Sequence, residues 1–271
     1  MGGCAGKPPP RCRDHPGSAE LSARLTGLLR LTRNISLHDR GGHVTHSRQV
    51  LDQIDALIQR KSILNHPFYV AWEKGELTRK QLATYAKMYY PHVAAFPQYL
   101  VATGATAMDA TVKAEIDSNL VDELNHPKPH NELWLDFAES LGHNRAAVST
   151  AAPHPAAKNI VDTFNELAQK NTACGLAALY AYESQQPGVA ETKTKGLKQN
   201  YGIGDQQAHA YFDVHGEIDI MHREGERKAL GLLLDNGTDP EEVMHATEQA
   251  LDAYWALLDG VCEETGVSMV C

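Results

Sequence analysis

The chain reads as an all-α protein on three observations. Apolar residues recur at helical spacing from Leu51 onward, with Leu51, Ile54, Leu57 and Ile58 forming the first stripe. Caps and prolines punctuate the pattern where helices should start and stop. No segment alternates apolar and polar residues as a half-buried strand would, and no internal repeat is visible.

The elements follow in order. A longer helix starts in Leu77-Thr-Arg-Lys-Gln81, with Thr78 as N-cap, and Pro91 and Pro97 should kink it. The next covers Ala110 to Asn125 and carries Glu123 near its end, because Pro127 and Pro129 deny continuous helix before His130. His130 opens another, through about Leu141. Further helices fit Ala157–Lys170, Thr172–Pro187, Asp205–Arg223 and Pro240–Thr265, and Gly188–Gly204 and Asp235–Asp239 read as loops. The architecture expected is a bundle, with polar side chains projecting inward from several helices.

Residues 1–48 read differently. They hold eight Lys/Arg against three Asp/Glu, so this leader carries +5 of a chain total of −9 and the remainder carries −14. Pro8-Pro-Pro10 and the scattered arginines resemble a disordered basic tail, an organelle transit peptide or an extension with no part in catalysis. Residues 49–271 are then the functional domain, long enough to bury one sizeable core. Its acidic balance argues against nucleic acid as a partner. No run approaches the roughly 18 apolar residues that would span a membrane. The five cysteines, Cys4, Cys12, Cys174, Cys262 and Cys271, show no Cys-x-x-Cys spacing, which suits reduced thiols in the cytoplasm.

The stretch Tyr211-Phe-Asp-Val-His-Gly-Glu-Ile-Asp-Ile-Met-His222 places His215, Asp219 and His222 at i, i+4 and i+7, within about 60° of helical arc. Three metal-capable side chains share one face. Among 14 histidines such a triplet alone reads equally as a solvated or core-lining face. Glu123, His130 and Glu183 upstream raise the inventory to three histidines and three carboxylates. That set suits a dinuclear iron or manganese/iron site better than zinc or a thiolate-preferring metal.

Glu123-x6-His130, then Glu183, then His215-x3-Asp219-x2-His222 resembles the ligand order of the heme-oxygenase-like diiron oxidases. Within that group the chain is similar to the branch, including the chlamydial death-domain-associating protein, that forms p-aminobenzoate for folate synthesis. The resemblance runs from about Leu51 to Thr265. It includes Asn65-His-Pro-Phe-Tyr-Val-Ala-Trp72 with Gly75-Glu-Leu77, a signature shared loosely with thiaminase II and pyrroloquinoline quinone synthase. It implies a heme-oxygenase-like bundle with two Fe or Mn/Fe ions, O2 as co-substrate, an external reductant and a homodimer. The helix carrying His215, Asp219 and His222 is often flexible in that group.

The resemblance further implies a self-consuming enzyme. Tyr69 matches the sacrificed ring, Lys193 the amino donor, and Tyr182 or Tyr211 a radical relay. Read from the residues alone, each tyrosine is more simply a core ring, and a lysine in Glu191-Thr-Lys-Thr-Lys-Gly196 a solvated loop charge with Lys195 as a rival. His66, His92 and His126 are left as non-ligands, and Trp72, Trp134 and Trp255 as anchors. Two other readings stay open: a dimetal oxidase acting on an external amine, amino acid or fatty acid, and a metal-free thiaminase-like enzyme or interaction module. Thiaminase II uses a nucleophilic cysteine, and Cys174 is the one cysteine inside the central bundle, but it does not match that family's nucleophile position and thiaminases lack the six-ligand set.

Overall fold

The computed structural model describes Gly2 and residues 39–269, with side chains from His46 onward. The chain divides into two compact units, residues 1–42 and 43–271. Eleven α-helices and one 3₁₀ turn are present among the described residues, with no strand. Most of the basic leader lies outside the described residues, although the first helix, α1 (Asp39–Arg60), already begins inside it.

The 3₁₀ turn Ile63–Asn65 leads into α2 (Pro67–Lys74). His66 is the N-cap of α2: its ring accepts from the Phe68 amide, and Pro67 occupies the first turn, where a missing N–H costs nothing. α3 (Arg79–Ala105) opens on a capping box between Thr78 and Gln81. It continues as one helix through Pro91 and Pro97. α4 (Ala110–Asn125) is capped by Asp109, and α5 (His130–Ser140) starts after Pro129.

A short helix, α6 (Arg145–Ser149), precedes α7 (Pro155–Lys170), whose apolar stripe Ala157, Ile160, Phe164 and Leu167 is buried. α8 (Thr172–Glu183) is buried along its whole length and forms the centre of the bundle, with α11 (Pro240–Thr265), α7 and α10 (Gln206–Asp235) against it. That explains its near-continuous run of small and apolar residues.

Two sequence expectations are corrected. Thr172–Pro187 is not one helix, since α8 ends at Glu183 and Pro187 falls in the first turn of a new one. Gly188–Gly204 is not a loop: α9 (Gln186–Gln199) occupies most of it. The inner face of α9 is Val189, Ala190, Lys193, Gly196 and Leu197, a helical pattern concealed by a lysine and a glycine at two inward positions. Gly196 lets α9 approach α2 closely, because a Cβ there would stand 2.5 Å from Trp72 Nε1. α10 also runs on past Arg223, three turns beyond the expected end.

Candidate metal centre

Four helices deliver the polar side chains at the centre of the bundle. Glu123 comes from the last turn of α4, His130 from the first residue of α5, Glu183 from the last of α8, and His215, Asp219 and His222 from one face of α10. All six are buried. They fall into two groups, Glu123/His130/His215 and Glu183/Asp219/His222, and within each the potential ligand atoms lie within 4.8 Å of one another.

The histidine rings are oriented from outside. His130 Nε2 bonds the His126 carbonyl at 2.9 Å, His215 Nδ1 the Tyr211 carbonyl at 2.6 Å, and His222 Nε2 the Asp122 carboxylate at 3.2 Å. Each ring thus keeps its other nitrogen for the interior, an arrangement that fixes the tautomer of a metal-ligating imidazole. Asn119, one turn before Glu123, donates to both oxygens of Glu183 at 3.1 and 2.9 Å. His126 takes part through its backbone carbonyl, and Asn119 and Asp122 are partners that the sequence does not single out. Spacing could have flagged Asn119, at i−4 from Glu123, but nothing marked Asp122.

The inward atoms converge without satisfying one another. His130 Nδ1 stands 2.9 Å from Glu123 Oε1, and His222 Nδ1 3.3 Å from Asp219 Oδ1. Neither nitrogen makes an aligned hydrogen bond, and both Asp219 oxygens lack any donor. Buried orphan acceptors are rare because they are costly. An N/O donor set aimed at common points fits two transition-metal ions.

Electrostatics agree with the burial. The Glu123 carboxyl, which burial alone would raise, is held down at about 2 by His130 and His215. Burial pushes Glu183 up to about 7 against the pull of His222. His222 would be lowered by burial, but Asp219, Glu183 and Asp122 raise it to about 10. Protons here stand in for positive charge that a metal would supply.

Beside this centre lies an aromatic chamber. Lys193 is 1% exposed and has no acidic partner. Its Nζ lies 5.3 Å from the Tyr69 ring centroid, 4.8 Å from Tyr85, 5.2 Å from Tyr89 and 5.3 Å from Trp134, and it donates to the Tyr85 hydroxyl. Burial drives this amine well below its ordinary value and raises the Tyr69 phenol well above its own. Lys193 is no solvated loop charge.

The chamber and the centre touch through rings. Tyr211 stacks on His215 at 3.9 Å and meets Trp134 edge-on at 4.8 Å, and Trp134 stacks on Tyr89 at 4.8 Å. The Tyr89 hydroxyl lies 3.0 Å from that of Tyr182 and 2.8 Å from that of Tyr254. The Tyr69 and Tyr85 hydroxyls are 3.4 Å apart. Tyr69, Tyr182, Tyr211 and Lys193 are therefore brought together; Tyr85, Tyr89 and Trp134 join them without any signal in the sequence. Cys174 is buried, and burial with Glu242 pushes its thiol up to about 11, opposite to what a nucleophile needs. His92 is held neutral by burial among aromatic rings, pushed down to about 3.

A helical bundle with paired carboxylate–histidine groups at its centre defines a class, the non-heme metal redox proteins. Residues 83–255 match the family of iron-containing redox enzymes with a heme-oxygenase-like fold, and the chain belongs to that family. It is 37% identical over 229 residues to a 4-aminobenzoate synthase of Nitrosomonas europaea, covering 81% of this chain and 93% of that one. It is 39% identical over 210 residues to the 4-aminobenzoate synthase of Chlamydia trachomatis serovar D, covering 77% and 90%. Among solved structures, a heme-oxygenase-like domain from Shewanella denitrificans superposes with a TM-score of 0.67 at 18% identity, covering 80% and 92%. That last likeness concerns the fold.

Proposed function

We propose that this chain forms 4-aminobenzoate from its own side chains, with the Tyr69 ring as carbon skeleton and Lys193 as nitrogen donor. The observation that carries the reading is the chamber: a buried lysine without a counter-ion lies among tyrosines, beside Tyr69 and two rings, Trp134 and Tyr211, away from His215. The names of the two relatives support the product. Glu123, His130 and His215 would hold one ion and Glu183, Asp219 and His222 the other, as Fe/Fe or Mn/Fe. The ions would supply reductive activation of O2, with electrons from an external donor.

The chain's own part is geometric and electrostatic. Desolvation holds the Lys193 amine neutral, so it keeps a lone pair while an N–H donates to Tyr85. The same desolvation keeps the phenols protonated, so an oxidised tyrosine must pass on a proton with its electron. Tyr211, with Tyr182, is the relay between the centre and the chamber. The protein is consumed, and turnover is single. Residues 49–271 carry this activity and the leader has no part in it. The setting is cytoplasmic, and Val121, Leu124, Ile220 and Met221, exposed on the outer faces of α4 and α10, offer apolar surface for a homodimer.

The test is mass spectrometry of small molecules released when anaerobically metal-loaded protein meets O2 and reductant, with no aromatic compound added. Wild type should release 4-aminobenzoate at or below one equivalent, carrying 15N when the protein is grown on [15N]lysine. Tyr69→Phe should bind the same metal and release none. Product from Tyr69→Phe, or none from wild type with two ions bound, would overturn the reading.

A further inference from the structure

Glu226 lies one turn beyond His222 and is 2% exposed. His215, Asp219, His222 and Glu226 stand at i, i+4, i+7 and i+11, so all four share an arc of about 60° on α10. Its environment is unusual for a carboxylate. Neither oxygen meets an amide, amine or hydroxyl donor, and the group it faces at hydrogen-bonding range is another carboxyl, that of Glu183. The ionisable groups acting on it are Glu183, Asp219 and Glu115, all acidic. The nearby arginine is engaged elsewhere, since Arg227 pairs with Asp52 and Asp55. Gly225 brings the third acid in, because a Cβ there would stand 1.6 Å from Glu115 Oε1.

Solvent cannot repair this. Glu226 and His222 border a narrow cleft walled by Leu100, Ile116, Leu176 and Leu179, too tight for a water molecule. A buried carboxyl that faces other carboxyls must either take up a proton or meet a cation. Such a group persists where something else supplies the positive charge.

We infer that Glu226 is a further ligand of the ion held by Glu183, Asp219 and His222, so that the centre has seven protein ligands and not six. The inference rests on the dimetal reading of those residues. Charge balance supports it: Glu123, Glu183 and Asp219 bring three negative charges to two divalent ions, and Glu226 brings the fourth, leaving the reduced centre neutral inside an apolar bundle. It also makes the two halves unlike. One half offers two imidazoles and a carboxylate, the other one imidazole and three carboxylates, a harder and more oxygen-rich set.

The experiment is a Mn(II) titration of the full chain, following free Mn(II) by electron paramagnetic resonance, for wild type and Glu226→Gln, with a crystal structure of the Mn(II)-loaded wild type. Wild type should bind two ions. Glu226→Gln, which keeps shape and removes charge, should bind one ion as before and the other more than about 100-fold more weakly, beyond the roughly 10–100-fold loss typical of an outer partner. In the loaded structure a Glu226 oxygen should lie roughly 2.0–2.3 Å from the ion. Two ions bound by Glu226→Gln at wild-type affinity, or both Glu226 oxygens more than about 3 Å from either ion, would overturn the assignment while leaving the six-residue centre intact. Wild type binding fewer than two ions would overturn the dimetal reading, and Glu226 with it.

Discussion

Lys193 states the chemistry of this protein at the scale of one residue. An ammonium would be the ordinary form of a lysine, but five rings and no carboxylate surround it. Rings attract a cation by about 0.5–2 kcal/mol, less than the cost of stripping its water. Desolvation therefore wins, and the folded-state value falls below 10.5. The sign follows from linkage: between the depressed folded value and 10.5 the unfolded chain binds one proton more than the folded one, so stability rises with pH across that window. Lys193→Met keeps the length, removes the titration, and should raise the melting temperature at pH 7. The gain should shrink toward pH 10. Differential scanning calorimetry across that range checks it, and a variant less stable than wild type at pH 7 would mean that Lys193 is held by a charge partner after all.

At the scale of elements, α9 is where sequence and structure part, and the reason is local. Helices with caps and uniform apolar stripes were legible, as with Thr78 opening α3 and the Ile160, Phe164, Leu167 stripe of α7. The i, i+4, i+7 spacing of His215, Asp219 and His222 was legible because α10 is regular through it. In α9 the inward positions include the reactive lysine and a glycine, which are functional choices that break the pattern of burial. Glu226 was hidden for a related reason: α10 was expected to end at Arg223, and one more acid in a run of charges carries no label. Asp122 and Trp134 act through contacts between distant helices, which no spacing reports. Gly196 tests whether α9 is placed by packing. With Trp72 Nε1 and Cδ1 at 2.5 and 2.7 Å from the would-be Cβ, Gly196→Ala should force α9 off α2, costing about 1–3 kcal/mol. Lys193 sits one turn upstream and should move with the helix. Denaturant titration should show the loss, and 4-aminobenzoate yield should fall at unchanged metal content. A wild-type yield would show that the lysine does not depend on that contact.

On the scale of the whole molecule, the centre gathers residues as far apart as Glu123 and His222 from α4, α5, α8 and α10, and without ions its carboxyls depend on protons for compensating charge. Metal binding should therefore act as a clamp on the bundle. An ion held at 100 times its dissociation constant adds about 2.7 kcal/mol, and for a domain of this size each kcal/mol is roughly 2–4 °C, so one ion should raise the melting temperature by about 5–10 °C. Asp219→Asn separates clamp from scaffold. Asp219 attracts His222 3.3 Å away but is repelled by the acidic Glu183 and Glu226, so the two effects oppose and neutralising it should leave the metal-free protein close to wild type in stability. The same change should abolish the share of the Mn(II) gain that the ion at Glu183, Asp219 and His222 supplies, about half, and leave the share of the ion at Glu123, His130 and His215. Thermal scans of both proteins with chelator and with excess Mn(II) give four melting temperatures that decide the matter. A metal-free Asp219→Asn that melts well below wild type would show Asp219 holding the apo bundle together, whereas an undiminished response to Mn(II) would remove Asp219 from the metal's ligands.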